Sequence, residues 1–185
     1  MKLDIGCGNN KKKDFFGIDK FKSPDVDQLV DIDKGLPFQD NYVGEIYCSH
    51  VLEHIDNFEF VMDEIYRICR DKTIIIIRVP HFSGRGAFHE FHKRFFRYDS
   101  FLDYQRKEKD MTVTNNHTQF KMVERKILFL KRKFYFYNYF FEWFFNLHER
   151  MCNHYENSFL RNIIPAGEVY IKLKVLKSKE KEIFN

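Results

Sequence analysis

Hydrophobic and polar positions alternate in short runs over the first fifty residues, which predicts a series of strands. "KLDI" reads as a first strand running into Gly6 and Gly8, and "FFGID" as a second ending on Asp19. "DQLVDI" reads as a third strand ending in Asp31 and Asp33, and "GEIYCSH", after the turn "QDN", as a fourth. The period then changes. In "VLEHIDNFEFVMDEIYRICR" apolar residues recur at helical spacing through Val61, Ile65 and Ile68. "TIIIIRVP" follows, an unbroken β-branched run that predicts a strand buried on both faces, as in a parallel sheet covered by helices. "FKMVERKILFL" and "EVYIKLKVL" alternate as two late strands, so the chain predicts an α/β sheet.

Between the late strands lies "FYFYNYFFEWFF", residues 134–145. A membrane span needs around 20 predominantly apolar residues, and Asn138 and Glu142 interrupt this run. Extended as one helix, it aligns Asn138, Glu142, Asn146, Glu149, Asn153 and Glu156 in a polar stripe. Phe136, Phe140, Phe144, Leu147 and Met151 stand opposite, which predicts an amphipathic helix with a wide apolar face. Three roles are open to that face: packing under the sheet, a substrate lid or homodimer surface, or contact with a membrane interface.

Composition narrows the picture. The 185 residues, 44% hydrophobic, suffice for one domain over 1–185, with 134–164 as a helical cap within it. The four cysteines have no CxxC spacing and no secretion signal opens the chain, so free thiols in the cytoplasm are expected. Net charge is +4, with lysine and arginine concentrated in "KMVERKILFLKRK" and "KLKVLKSKEKE". Those clusters raise nucleic-acid binding as an alternative, disfavoured because the basic residues alternate with buried-looking ones.

Candidate chemistry sits at the strand ends, where open α/β sheets bind ligands. Gly6 and Gly8 let a ligand approach the backbone. Asp19 is placed to accept hydrogen bonds from a ribose diol. Asp31 can meet an exocyclic amine such as adenine N6, with the Ile32 N–H available to a ring nitrogen.

In series, "LDIGCGNN", "FGIDK", "VDIDKGLPFQDN", "EIYCSHVLEHI" and "IYRICRDKTIIIIRVPH" resemble the motifs of class I S-adenosylmethionine-dependent methyltransferases of the type 11 kind, over roughly residues 2 to 100. The resemblance implies a Rossmann-like seven-stranded sheet in the order 3-2-1-4-5-7-6, its last strand antiparallel. S-adenosylmethionine is the implied cofactor and S-adenosylhomocysteine the product. By that pattern Asp4, Gly6, Cys7 and Gly8 line the methionine and ribose portion, Asp19 with Lys20 the ribose, Asp31 and Ile32 the adenine, and Ser49, His50 and Leu52 the sulfonium side. Only "NNKKKDF" separates Gly8 from the second strand, too short for the helix usual there. That shortening resembles a compact subset of the family, associated with secondary metabolites and surface sugars. It also argues against NAD, whose pyrophosphate needs a helix N-terminus.

The implied activity is methylation of a small molecule or a saccharide. A nucleic-acid methyltransferase, disfavoured by the lack of an "NPPY"-type tetrapeptide, and an inactive protein of the same fold are the alternatives. An acceptor hydroxyl calls for a base, and "HKRFF" puts His92 first and His81 second. His54, Arg94, His154 and Tyr155 are the candidate substrate contacts. No metal site is expected, because His89 and His92 have no third ligand fixed by spacing.

Overall fold

The computed structural model describes residues 1–104, 119–131 and 135–177. Arg132, Lys133 and Phe134 of the basic and aromatic segments, and the tail from Ser178, lie outside the described residues. Seven strands form one sheet: β1 (Lys2–Ile5), β2 (Phe16–Asp19), β3 (Gln28–Leu29), β4 (Val43–Ser49), β5 (Cys69–Pro80), β6 (Phe120–Leu128) and β7 (Glu168–Val175). Their order is β3-β2-β1-β4-β5-β7-β6, with β7 antiparallel to both neighbours and the pairs among β1 to β5 parallel. The predicted sheet is therefore the observed one. The third strand is shorter than read: Asp31 already leads into a 3-10 turn at Ile32–Lys34.

Helix α1 (Phe58–Ile68) begins later than its apolar spacing suggested, because Asn57 ends the preceding turn and its side chain accepts from Phe60 N. Val61, Met62, Ile65 and Ile68 share a buried cluster with Leu3, Ile46, Ile75, Ile77 and Ile171 of the sheet. Residues 51–56 are thereby left as a turn at the end of β4.

The other face of the sheet is less covered than the β-branched run of β5 predicted. Ile74 and Ile76 are only half-buried, and so are their neighbours Tyr47 and Tyr170. The short 9–15 segment accounts for part of this. It crosses the sheet without a helix, held by Lys12 N donating to Asp4 Oδ2 (2.7 Å) and by the Lys12 ammonium 4.2 Å from the Tyr47 ring centre.

The aromatic insertion forms three helices, α2 (Tyr137–Phe145), α3 (Glu149–Asn157) and α4 (Leu160–Ile163), rather than one. Its orientation decides against one of the three roles left open for the apolar face, packing under the sheet. The polar stripe of α2 faces inward: Asn138 Nδ2 donates to Leu130 O (2.8 Å), Glu142 Oε2 accepts from Phe129 N (3.0 Å), and Asn146 accepts from Ile127 N (2.9 Å) while donating to Ile127 O (2.7 Å). Backbone groups at and beyond the end of β6 need such partners, and these side chains supply them. Phe136, Tyr139, Phe140 and Trp143 consequently point outward, at 75, 59, 55 and 60% exposure. Phe145 and Tyr155 pack inward with Phe129, Cys152 and Tyr98 in a second buried cluster.

Candidate active site

The carboxyl ends of β1, β2 and β4 open onto a cleft of about 810 Å³, within the range of small-molecule sites. Gly6 forms its floor with φ +68°, and a Cβ there would stand 2.0 Å from Val51 Cγ2. Only glycine fits both the dihedral and the space. Gly8, at φ +51°, donates its N–H to Asp19 Oδ2 (3.0 Å), and Phe21 N donates to Asp19 Oδ1 (2.9 Å). Asp19 is thus fixed by backbone on both sides, and each oxygen keeps a lone pair for a ligand.

Asp31 is paired at 3.3 Å with both Lys20 and Lys34. Burial pushes its carboxyl up, but the two lysines outweigh that and hold it below the usual range. Lys20 and Ile32 line the same part of the cleft.

His50 marks the other end, held in the left-handed region at φ +57° where β4 stops. Its Nε2 lies 3.2 Å from Glu168 Oε1, and its Nδ1 lies 3.3 Å from Glu53 Oε1. Glu168 first and Glu53 second outweigh burial and raise the imidazole to about 9, so it is charged at neutral pH. The Glu53 contact has ion-pair reach but no hydrogen-bond alignment, and both Glu53 oxygens, fully buried, lack a hydrogen-bond donor.

His54 also lines the cleft, and His92 packs against it edge to face with ring centres 4.6 Å apart. Each Nδ1 lies 3.2 Å from a backbone carbonyl, that of Phe91 for His54 and that of Ala87 for His92. Burial lowers the His92 imidazole below its ordinary value. Lys93 N donates to Glu53 O (2.8 Å), fastening the His92 loop to the turn that carries Glu53 and His54.

The remaining candidates from the sequence lie outside the cleft lining. Asp4 is buried beneath the 9–15 segment. The Cys7 thiol faces Asp25 O, and burial pushes it up to about 11. Leu52 belongs to the main core, and Ser49 is half-buried at the end of β4. Arg94 donates to the carbonyls of Ile55 and Asp56. His81 is fully buried, Tyr155 is buried with its hydroxyl donating to Ile164 O (2.7 Å), and His154 is exposed on α3. Sequence reasoning missed Phe21, Val30, Val51, Ile55, Glu90, Phe91 and Lys93 as lining residues. Most of these adjoin residues that were singled out, Phe91 and Lys93 flanking His92, but no spacing rule marks the neighbours themselves.

Comparison with known proteins agrees with this fold. Residues 18–77, about a third of the chain, match the methyltransferase domain family. No curated protein sequence matches the chain. Among solved structures, YcgJ from Bacillus subtilis is similar with a TM-score of 0.57 at 11% identity, covering 96% of this chain and 92% of that one. An S-adenosylmethionine-dependent methyltransferase from Archaeoglobus fulgidus has a TM-score of 0.54 at 14% identity, covering 94% and 85%. The cyclase SpnF has a TM-score of 0.55 at 14% identity, covering 95% and 75%. At such identities these neighbours speak for the fold alone. The chain thus shares the fold of these structures, and its residues 18–77 are similar to the methyltransferase domain family.

Proposed function

We propose that the protein transfers a methyl group from S-adenosylmethionine to a hydroxyl of a small molecule or a saccharide. One observation carries the reading: a single cleft joins the row of Gly6, Asp19 and Asp31 to the histidines His50 and His54. The cofactor fits the first part on the structure's own terms. Gly6 admits a ligand against bare backbone, Asp19 offers two fixed acceptors for a diol, and Asp31 offers one to an exocyclic amine. When bound, S-adenosylmethionine supplies a methyl group on a positively charged sulfur.

The chain's own part is mostly positioning and exclusion of water. Phe21 and Phe91 present apolar rings to the cleft, at 74 and 65% exposure, which a bound ligand would cover. His92, the first candidate base in the sequence, lies behind His54, which itself lines the cleft. Lys20, Lys93 and Glu90 line the wall with polar groups that suit an acceptor rich in hydroxyls, the lysines being paired with Asp31 and Asp56.

All four cysteines are free and buried, which suits the cytoplasm proposed for the protein. The outward rings of α2, with the basic stretch 131–133 before them in sequence, support contact with a membrane interface. A second copy of the chain is the alternative, and sedimentation with and without anionic vesicles separates the two.

Calorimetric titration with S-adenosylmethionine, followed by assay of S-adenosylhomocysteine release over a panel of sugars and hydroxylated metabolites, tests the proposal. Binding that weakens at least about tenfold in Asp19→Ala is expected, from the loss of charge-assisted hydrogen bonds. No binding, or binding unchanged in Asp19→Ala, overturns the cofactor site. Binding without any methyl transfer favours another reaction on this fold, as the name of the cyclase SpnF illustrates.

A further inference from the structure

We propose that Glu53, His54 and His92 form a mononuclear site for a divalent transition metal, zinc in the first instance, at the acceptor end of the cleft. One ligand atom from each of the three lies within 4.8 Å of the other two. Two further observations point to a ligand there. Carbonyl oxygens only accept, so the contacts of both Nδ1 atoms with Phe91 O and Ala87 O place the ring proton on Nδ1 and leave the Nε2 lone pair unused on each histidine. Metal-ligating histidines are oriented in this way, through the other ring N–H and a backbone acceptor.

The second observation is Glu53. Its carboxylate is fully buried and neither oxygen receives a hydrogen bond. Burying an ionised carboxylate without donors is costly. The His50 imidazole at 3.3 Å offsets its charge but does not satisfy its oxygens. A dication held between Glu53 and the two imidazoles would do both.

Two histidines and a carboxylate suit zinc, and also iron or manganese, and three protein ligands leave a position open to a water or substrate oxygen. The protein holds the set in place beforehand through Lys93 N on Glu53 O and the two carbonyls on the imidazoles. The expectation of no metal rested on the spacing of His89 and His92. The missing ligands come from the turn after β4, far upstream in sequence. Because His54 lines the cleft, a metal here would bind the acceptor hydroxyl and ease loss of its proton to solvent. That role rests on the methyltransferase reading, whereas metal binding does not.

The test uses full-length protein stripped with chelator and titrated calorimetrically with zinc and with cobalt, whose visible absorption reports coordination. One ion per chain is expected, with affinity reduced at least about tenfold in His92→Asn and in Glu53→Gln. His154→Asn, outside the cluster, should bind as the parent does. Circular dichroism checks folding, and His92→Asn, at a half-exposed position, keeps the test valid if Glu53→Gln does not fold. No stoichiometric binding, or binding undiminished in His92→Asn, overturns the site. A parallel titration with S-adenosylmethionine separates the two ideas: cofactor binding without metal binding overturns only this inference, and metal binding without cofactor binding overturns only the function proposed above.

Discussion

His81 Nε2 lies 2.9 Å from Glu156 Oε1 with both side chains fully buried, tying the end of β5 to α3. Ser83 N donates to His81 Nδ1, so the ring proton sits on Nε2 and is donated to the carboxylate. Glu156 Oε1 also accepts from Tyr98 N (2.6 Å). With both nitrogens engaged, His81 acts as a positioning residue for the insertion. Glu156→Ala should destabilise the protein by about 3 kcal/mol or more, as removal of one partner from a buried pair does. Urea denaturation should show the double variant with His81→Ala to be less than additive.

Gly6 faces Val51 too closely for any side chain. Gly6→Ala should lower S-adenosylmethionine affinity at least about tenfold, through the strained dihedral and displacement of Val51. Calorimetry should find Gly6→Ala/Val51→Ala only partly restored, since space returns and the dihedral strain remains.

Glu64 accepts from both Arg67 Nε and Nη2, at 2.6 and 2.8 Å, and from Leu36 N at 2.8 Å. The Arg67 hydrogen bonds hold its carboxyl below the ordinary 4.5 despite some burial. A depressed folded-state value contributes stability that is complete above the unfolded value and is lost as pH falls through the folded one. Thermal melts should therefore show Glu64→Gln destabilised by about 1–3 kcal/mol near neutrality. The difference from the parent should narrow as pH drops below about 4.5.

The inward polar stripe of α2 makes opposite predictions for its two sides. Asn146→Ala leaves Ile127 N and O without their partner and should cost about 1–3 kcal/mol. Phe140→Ser, on the exposed side, should stay within about 0.5 kcal/mol of the parent. Equal losses in chemical denaturation would contradict the orientation described for α2.

These contrasts show which parts of the molecule were legible in the sequence. Strand order followed from the resemblance of the ordered motifs to class I methyltransferases, whose acids and glycines occupy fixed places at the strand ends of an open α/β sheet. Gly6, Asp19, Lys20, Asp31, Ile32, His50 and His54 were all named from it, and the structure brings them to one cleft. The direction of α2 was not legible. Periodicity shows that a helix has two faces, but which face turns inward depended here on the backbone groups of residues 127–130. Glu53 was invisible for a related reason: nothing local says that this carboxylate is buried, and its neighbour His92 arrives from a distant loop. The β-branched run of β5 misled in part because the 9–15 segment crosses the second face of the sheet without a helix.

The carboxamide of Asn146 occupies the N–H and C=O of Ile127 much as a neighbouring strand would. β6 is the outermost strand on its side of the sheet, and a rim with free backbone groups invites pairing with another chain. Asn146 therefore closes the last stretch of that rim with a side chain where a barrel would close it with backbone, and Asn138 and Glu142 satisfy the residues just beyond it. A version of the protein trimmed of α2 would keep its cleft-forming strands yet gain a sticky edge, and its characteristic failure would be aggregation rather than unfolding.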